Sequence, residues 1–140
     1  MNAKEQLKNP NKPSETEKIT INLGPVDLGQ IDLLVQEGFY SNRTDLIRTA
    51  IRNQLSAHAE VIKQTVTRKS LVLGLQHFSR VDLEAVRHAG QKLQIQVLGL
   101  ATIGADVTPK LALDTIESVV VLGALHASPA VKAALAERIR

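Results

Sequence analysis

Lys18, Thr20 and Asn22 alternate with Ile19, Ile21 and Leu23 in an unbroken polar–apolar series. In a strand, whose period is two, the polar side chains share one face and the apolar ones the other. An ammonium, a hydroxyl and a carboxamide on one face are groups able to read base edges. Lys donates to guanine O6 or N7, Asn pairs with adenine N6 and N7, and Thr bonds either or touches a thymine methyl. An ordinary solvent-facing strand, with Thr favoured by β-propensity alone, is the plainer explanation of the same residues. A second set stands at Ser41, Asn42 and Arg43. If a helix starts at Ser41, its unsatisfied N–H groups and dipole favour an anion such as a phosphate, and Arg43 adds a cation at the turn. Ser41 equally serves as an N-cap, with Asp45 near the positive end of the helix.

The four histidines, His58, His77, His88 and His126, are not spaced for a compact metal site, and the chain has no cysteine to join them. His77 and His126 each follow a glycine by three residues, so they could share a register; stacked surface histidines are the blander reading. There is no P-loop, no GxGxxG and no nucleophile elbow. The chain is therefore not expected to be an enzyme, and no cofactor or metal is expected.

Gly24-Pro25 ends the alternating segment, and Leu28, Ile31, Leu34 and Val35 then predict a helix over residues 26–37. Gly38 is placed to close that helix in the left-handed conformation. A second helix, starting at Ser41, presents Leu46, Ile47, Ala50, Ile51 and Leu55 on one face. Its stripe continues weakly through Ala59, Ile62 and Val66, predicting a helix that runs past residue 60. Arg48 and Arg52 share another face and fit acidic partners at a dimer interface better than DNA. One strand and two helices cannot enclose a core, and a lone strand leaves both edges unpaired. A homodimer resolves both problems by pairing the two strands antiparallel.

The second half repeats itself. Val72-Leu73-Gly74-Leu75 recurs as Val97-Leu98-Gly99-Leu100 and as Val121-Leu122-Gly123-Ala124. Short loops and helices are expected after each motif, over 81–89, 108–116 and 129–139. The last two open with Thr108-Pro109 and Ser128-Pro129, an N-cap followed by proline. Strand-like runs precede the second and third glycines at 93–97 and 118–121. The pattern predicts three β-loop-α units with parallel strands.

Residues 17–56 resemble the ribbon-helix-helix family of DNA-binding proteins, which includes Arc-, MetJ- and CopG-like repressors. The likeness rests on Lys18-Ile-Thr-Ile-Asn-Leu23 and on Glu37-Gly-Phe-Tyr-Ser-Asn-Arg-Thr-Asp-Leu-Ile-Arg48. It implies an intertwined dimer whose two-stranded ribbon enters the major groove of double-stranded DNA. Lys18, Thr20 and Asn22 would then contact bases, and Ser41, Asn42 and Arg43 phosphates. Nickel-responsive repressors join this fold to a C-terminal α/β regulatory domain, but their dense His/Cys pattern is missing here.

The expected organisation is an arm at residues 1–17, a ribbon-helix-helix domain at 18–68 and a β/α repeat domain at 69–140, in a mixed α+β and α/β chain. The net charge of +3, from 17 basic and 14 acidic residues, puts DNA binding on placed side chains rather than on a basic tail. A hydrophobic fraction of 44% marks a globular chain, and with 2% aromatics its core must be built from Leu, Ile, Val and Ala. No apolar run reaches membrane-spanning length and the N-terminus lacks a signal pattern, so a cytoplasmic, nucleoid-associated location is expected. The reading is a sequence-specific repressor, dimeric or assembled further through 69–140. An antitoxin, or a polymerising DNA-coating or structural protein, are the alternatives.

Overall fold

The computed structural model describes residues 16–140. Most of the expected 1–17 arm lies outside them. Two compact units emerge, Lys18–Thr67 and, joined by Glu17, Arg68–Arg140.

The first unit holds helices α1 (Pro25–Gln36), α2 (Arg43–Ala57) and α3 (Ala59–Arg68). Helix α1 ends as its sequence demands. Gly38 takes φ +82°, its N–H donates to the Val35 carbonyl, and the Phe39 N–H donates to the Leu34 carbonyl. Those two bonds satisfy end carbonyls in a Schellman turn, and glycine enters its left-handed position without a Cβ penalty. Helix α2 begins two residues later than expected. Asn42, not Ser41, is its N-cap: Asn42 Oδ1 accepts the Asp45 N–H at 2.8 Å, and the Ser41 N–H donates to the Asp45 carboxylate at 3.0 Å. Asp45 stands three residues after Asn42, so its N–H reaches the cap, while its carboxylate takes the N–H of Ser41, one residue before the cap, rather than the cap's own as in a full capping box. The expected long helix is interrupted at His58, where the backbone leaves helical geometry for one residue before α3.

None of the three helices buries a residue. Leu33, Phe39, Ile51 and Leu55 remain exposed. Among the described residues, the strand expected at residues 18–23 makes no sheet pairing. Its apolar side chains stand open to water, Ile19 at 75%, Ile21 at 57% and Leu23 at 41% exposure. An extended segment becomes a strand only when another strand satisfies its edge.

The second unit is a three-stranded parallel sheet in the order β1-β2-β3. Its strands are β1 (Val72–Phe78), β2 (Leu93–Ile103) and β3 (Ile116–His126). Helices α4 (Arg80–His88), α5 (Pro109–Thr115) and α6 (Pro129–Ala134) follow the strands in turn, and a 3-10 turn at Ala136–Arg138 ends the chain. Each helix is capped by its own hydroxyl, Ser79, Thr108 or Ser128, and Ser79 forms a full capping box with Asp82. Helices α5 and α6 are shorter than expected. The strands, conversely, do not stop at the glycines as the motif reading implied; all three run on beyond them, to Phe78, Ile103 and His126.

Gly74, Gly99 and Gly123 stand side by side in register across the sheet. All three hold positive φ, +124°, +140° and +124°. A Cβ on Gly99 would meet the Gly74 carbonyl oxygen at 2.1 Å, and one on Gly123 would meet the Gly99 carbonyl oxygen at the same distance. The motif is therefore glycine because each strand presses its backbone into the space where its neighbour's side chain would be.

The core lies between the sheet and its helices. Ile95, Val97, Ala101, Ile103 and Val119 from the strands meet Leu83, Leu111, Ala112 and Val131 from the helices and Leu135 just after α6. Thr115 is fully buried and its hydroxyl donates to the Leu111 carbonyl at 2.7 Å. On the other face the alternation places Leu73, Leu75, Leu98, Leu100, Leu122 and Ala124, of which Leu73, Leu75 and Leu122 are exposed.

Candidate nucleic-acid interface

The candidate residues lie in the first unit on two elements. Lys18, Thr20 and Asn22 are all exposed on the segment before α1. Ser41, Asn42 and Arg43 are exposed at the start of α2. The second set is held by more hydrogen bonds than the sequence reading allowed for. Asn42 Oδ1 and the Ser41 N–H are both committed to Asp45. The Leu46 N–H bonds to the Asn42 carbonyl, which begins the helical ladder. The N–H groups of Arg43 and Thr44 precede that ladder and point out of the helix end, where the macrodipole favours an anion.

Arg43 itself is clamped. Its Nε donates to Asp32 Oδ1 at 2.7 Å and its Nη2 to Asp32 Oδ2 at 2.8 Å, a two-pronged bridge from α2 to α1. The hydrogen bond from Arg43 holds the Asp32 carboxyl below its ordinary range, and Asp32 raises the guanidinium in return. Both groups are open to solvent, so the pair is screened. Sequence reading placed Arg43 at the turn as a ready cation. It did not find Asp32, which sits eleven residues earlier on a different helix and carries no local signal.

Histidines expected to share a register do so through a third residue. His77 pairs with Thr102 on one side of β2, and Thr102 pairs with His126 on the other. His77 Nδ1 and the Thr102 hydroxyl are hydrogen-bonded, and Glu17 meets His126 Nε2. His58 instead bonds Gln54 within its own helical segment. Among the described residues no group of three or more His, Cys, Asp or Glu side chains is gathered to hold a metal ion. Nor is any described helix long and apolar enough to cross a membrane.

A β-type segment, a glycine-closed helix and an Asn-capped second helix, all in the first fifty-odd residues, follow the element order of a ribbon-helix-helix unit. The chain belongs to the ribbon-helix-helix transcriptional regulator family, whose model matches residues 14–132. The match reaches well beyond the 17–56 stretch that carries the visible motif and takes in most of the sheet unit. The family binds DNA, typically as dimers, and is generally non-enzymatic. No curated protein and no solved structure matches the chain.

Proposed function

We propose that this chain is a homodimeric, sequence-specific repressor that places a two-stranded β-ribbon in the major groove. The observation that carries the reading is the period-two segment at residues 18–23, with Ile19, Ile21 and Leu23 exposed in front of helices that bury nothing. Pairing two such segments antiparallel puts the six apolar side chains beneath the ribbon. Burying each fully contributes about 1.5–3 kcal/mol, so the dimer supplies the core that the single unit lacks. The same pairing turns Lys18, Thr20 and Asn22 outward as a six-residue reading surface.

In this reading Lys18 donates to guanine, Asn22 bonds adenine bidentately and Thr20 contacts a base edge or a thymine methyl. Ser41, Asn42 and Arg43 fix the docking depth through a phosphate seated on the Arg43 and Thr44 N–H groups. Asp32 already neutralises the Arg43 guanidinium, so a phosphate engages it by sharing or displacing one prong of that bridge. The antitoxin alternative has no observation in its favour, because the C-terminal unit closes a core of its own rather than forming an unstructured tail.

The test is selection of bound sites from a random duplex library, run in parallel with Asn22→Ala. Wild type returns paired half-sites, and the variant loses preference at one position per half-site at a cost of roughly 1–3 kcal/mol. An unchanged preference in Asn22→Ala refutes the ribbon assignment.

A further inference from the structure

We infer that the C-terminal sheet continues from one copy of this chain into the next, the outer edge of β3 in one copy pairing in parallel with the outer edge of β1 in another. The inference adds an assembly contact in residues 69–140 to the proposed ribbon dimer, and for its setting on DNA it rests on that reading.

The two edges fit each other in length. Strands β2 and β3 each run eleven residues, whereas β1 has seven, starting at Val72 opposite Val97 and Val121. The stretch of β3 that β1 would leave uncovered is already taken. Ile139 makes a parallel bridge to Val119, and the Arg140 N–H donates to the Val119 carbonyl at 2.9 Å. Among the described residues the rest of that edge, from Val121 to His126, has no strand beside it, and neither does the outer edge of β1. A docked β1 would set Val72 beside Val121, Leu73 beside Leu122, Gly74 beside Gly123 and Leu75 beside Ala124.

That register is one the chain already builds twice, from β1 to β2 and from β2 to β3. In both, a glycine receives its neighbour's carbonyl where a Cβ would stand. Gly74 holds the same backbone conformation, yet among the described residues a Cβ there would touch nothing. A neighbouring copy's Gly123 carbonyl fills that space in the docked register. Exposed strand edges are ordinarily guarded by charge or proline. Val72-Leu-Gly-Leu-Gln-His77 and Val121-Leu-Gly-Ala-Leu-His126 contain no Lys, Arg, Asp, Glu or Pro. Such a pair of edges, without lysine, arginine or proline to block it, accepts a copy of itself.

The contact is head-to-tail, so two copies leave one edge of each kind unused and further copies can add. Six residues of ladder are a weak bond between free molecules. Joined to a ribbon dimer bound at neighbouring DNA sites, the same contact acts at a high effective concentration.

The natural chain has no cysteine, so single thiols report the contact directly. Leu75→Cys and Ala124→Cys proteins, oxidised as a mixture on DNA carrying tandem sites, are expected to form a covalent pair that either variant alone does not form. One chain carrying both cysteines, which β2 keeps apart, is expected to give a ladder of products beyond two chains. Adding Leu73→Lys to the Leu75→Cys chain places a charge on the edge and abolishes the product. Leu75→Cys pairing with itself, a double variant that stops at two chains, or no product from protein that still binds one site each overturns the inference. Binding to a single site reports the ribbon independently, so loss of cross-linking with intact binding refutes the edge contact alone.

Discussion

Replacing Gly99 with alanine tests the close backbone approach at the centre of the sheet. The new Cβ would lie 2.1 Å from the Gly74 carbonyl oxygen and 3.0 Å from its carbon. Ordinary C···O approach is about 3.3 Å or more, so β1 and β2 must separate locally by roughly 1.2 Å. A shift of that size breaks the two or three adjoining ladder hydrogen bonds, each worth about 0.5–1.5 kcal/mol net. Holding alanine at φ +140° adds about 1–3 kcal/mol of backbone strain. Together these predict a loss of about 2–7 kcal/mol. Gly74→Ala is the matched control: it suffers the same kind of strain at +124° but meets open space, so about 1–3 kcal/mol is expected. Urea unfolding of both variants in dilute solution, followed by far-ultraviolet circular dichroism, gives the comparison. Equal losses within about 1 kcal/mol would refute the steric argument and leave strain as the whole reason for the glycines.

Three further outcomes follow from the first unit and the helix caps. Asn42→Ala removes the cap of α2 and is expected to cost about 1 kcal/mol in thermal or urea unfolding, whereas Ser41→Ala, which keeps the backbone donor to Asp45, costs only a few tenths. Arg43→Ala is expected to weaken binding to all duplex sequences alike and to lower the slope of log affinity against log salt by about one phosphate contact, read by titration across salt concentrations. Asp82 is held below its ordinary range by the backbone bond from Ser79 and then by the Ser79 side chain. A depressed carboxyl stabilises the fold above its unfolded value near about pH 4 and loses that contribution as the pH falls through the folded value. Acid titration of stability should therefore fall less steeply in Asp82→Asn than in wild type.

What could be read from the residues was whatever local chemistry encodes. Gly38 announced the left-handed end of α1, Thr108-Pro109 and Ser128-Pro129 announced the starts of α5 and α6, and the recurring Val-Leu-Gly announced three strands in one register. Signals that depend on distant partners stayed hidden. Asp32 and Arg43 meet across a helix–helix turn, and their pairing has no signature in either neighbourhood. Strands passed through the glycines because backbone packing against the next strand, rather than turn formation, is what selects glycine there. Asn42 displaced Ser41 as the cap because both residues are good caps and only the position of Asp45 decides between them. The segment at 18–23 is the sharpest case. Its alternation is plain in the sequence, while the partner strand proposed for it lies on a second chain.

That second chain is the crux. A dimer prepared from one isotope-labelled and one unlabelled chain, examined by filtered nuclear Overhauser spectroscopy, observes the ribbon itself. The account predicts intermolecular contacts along residues 18–23, between Ile21 of one protomer and the same segment of its partner, with Thr20 and Asn22 side chains shifting when duplex DNA is added. Contacts confined to a single chain, or DNA-induced shifts that spare Lys18, Thr20 and Asn22, would contradict it.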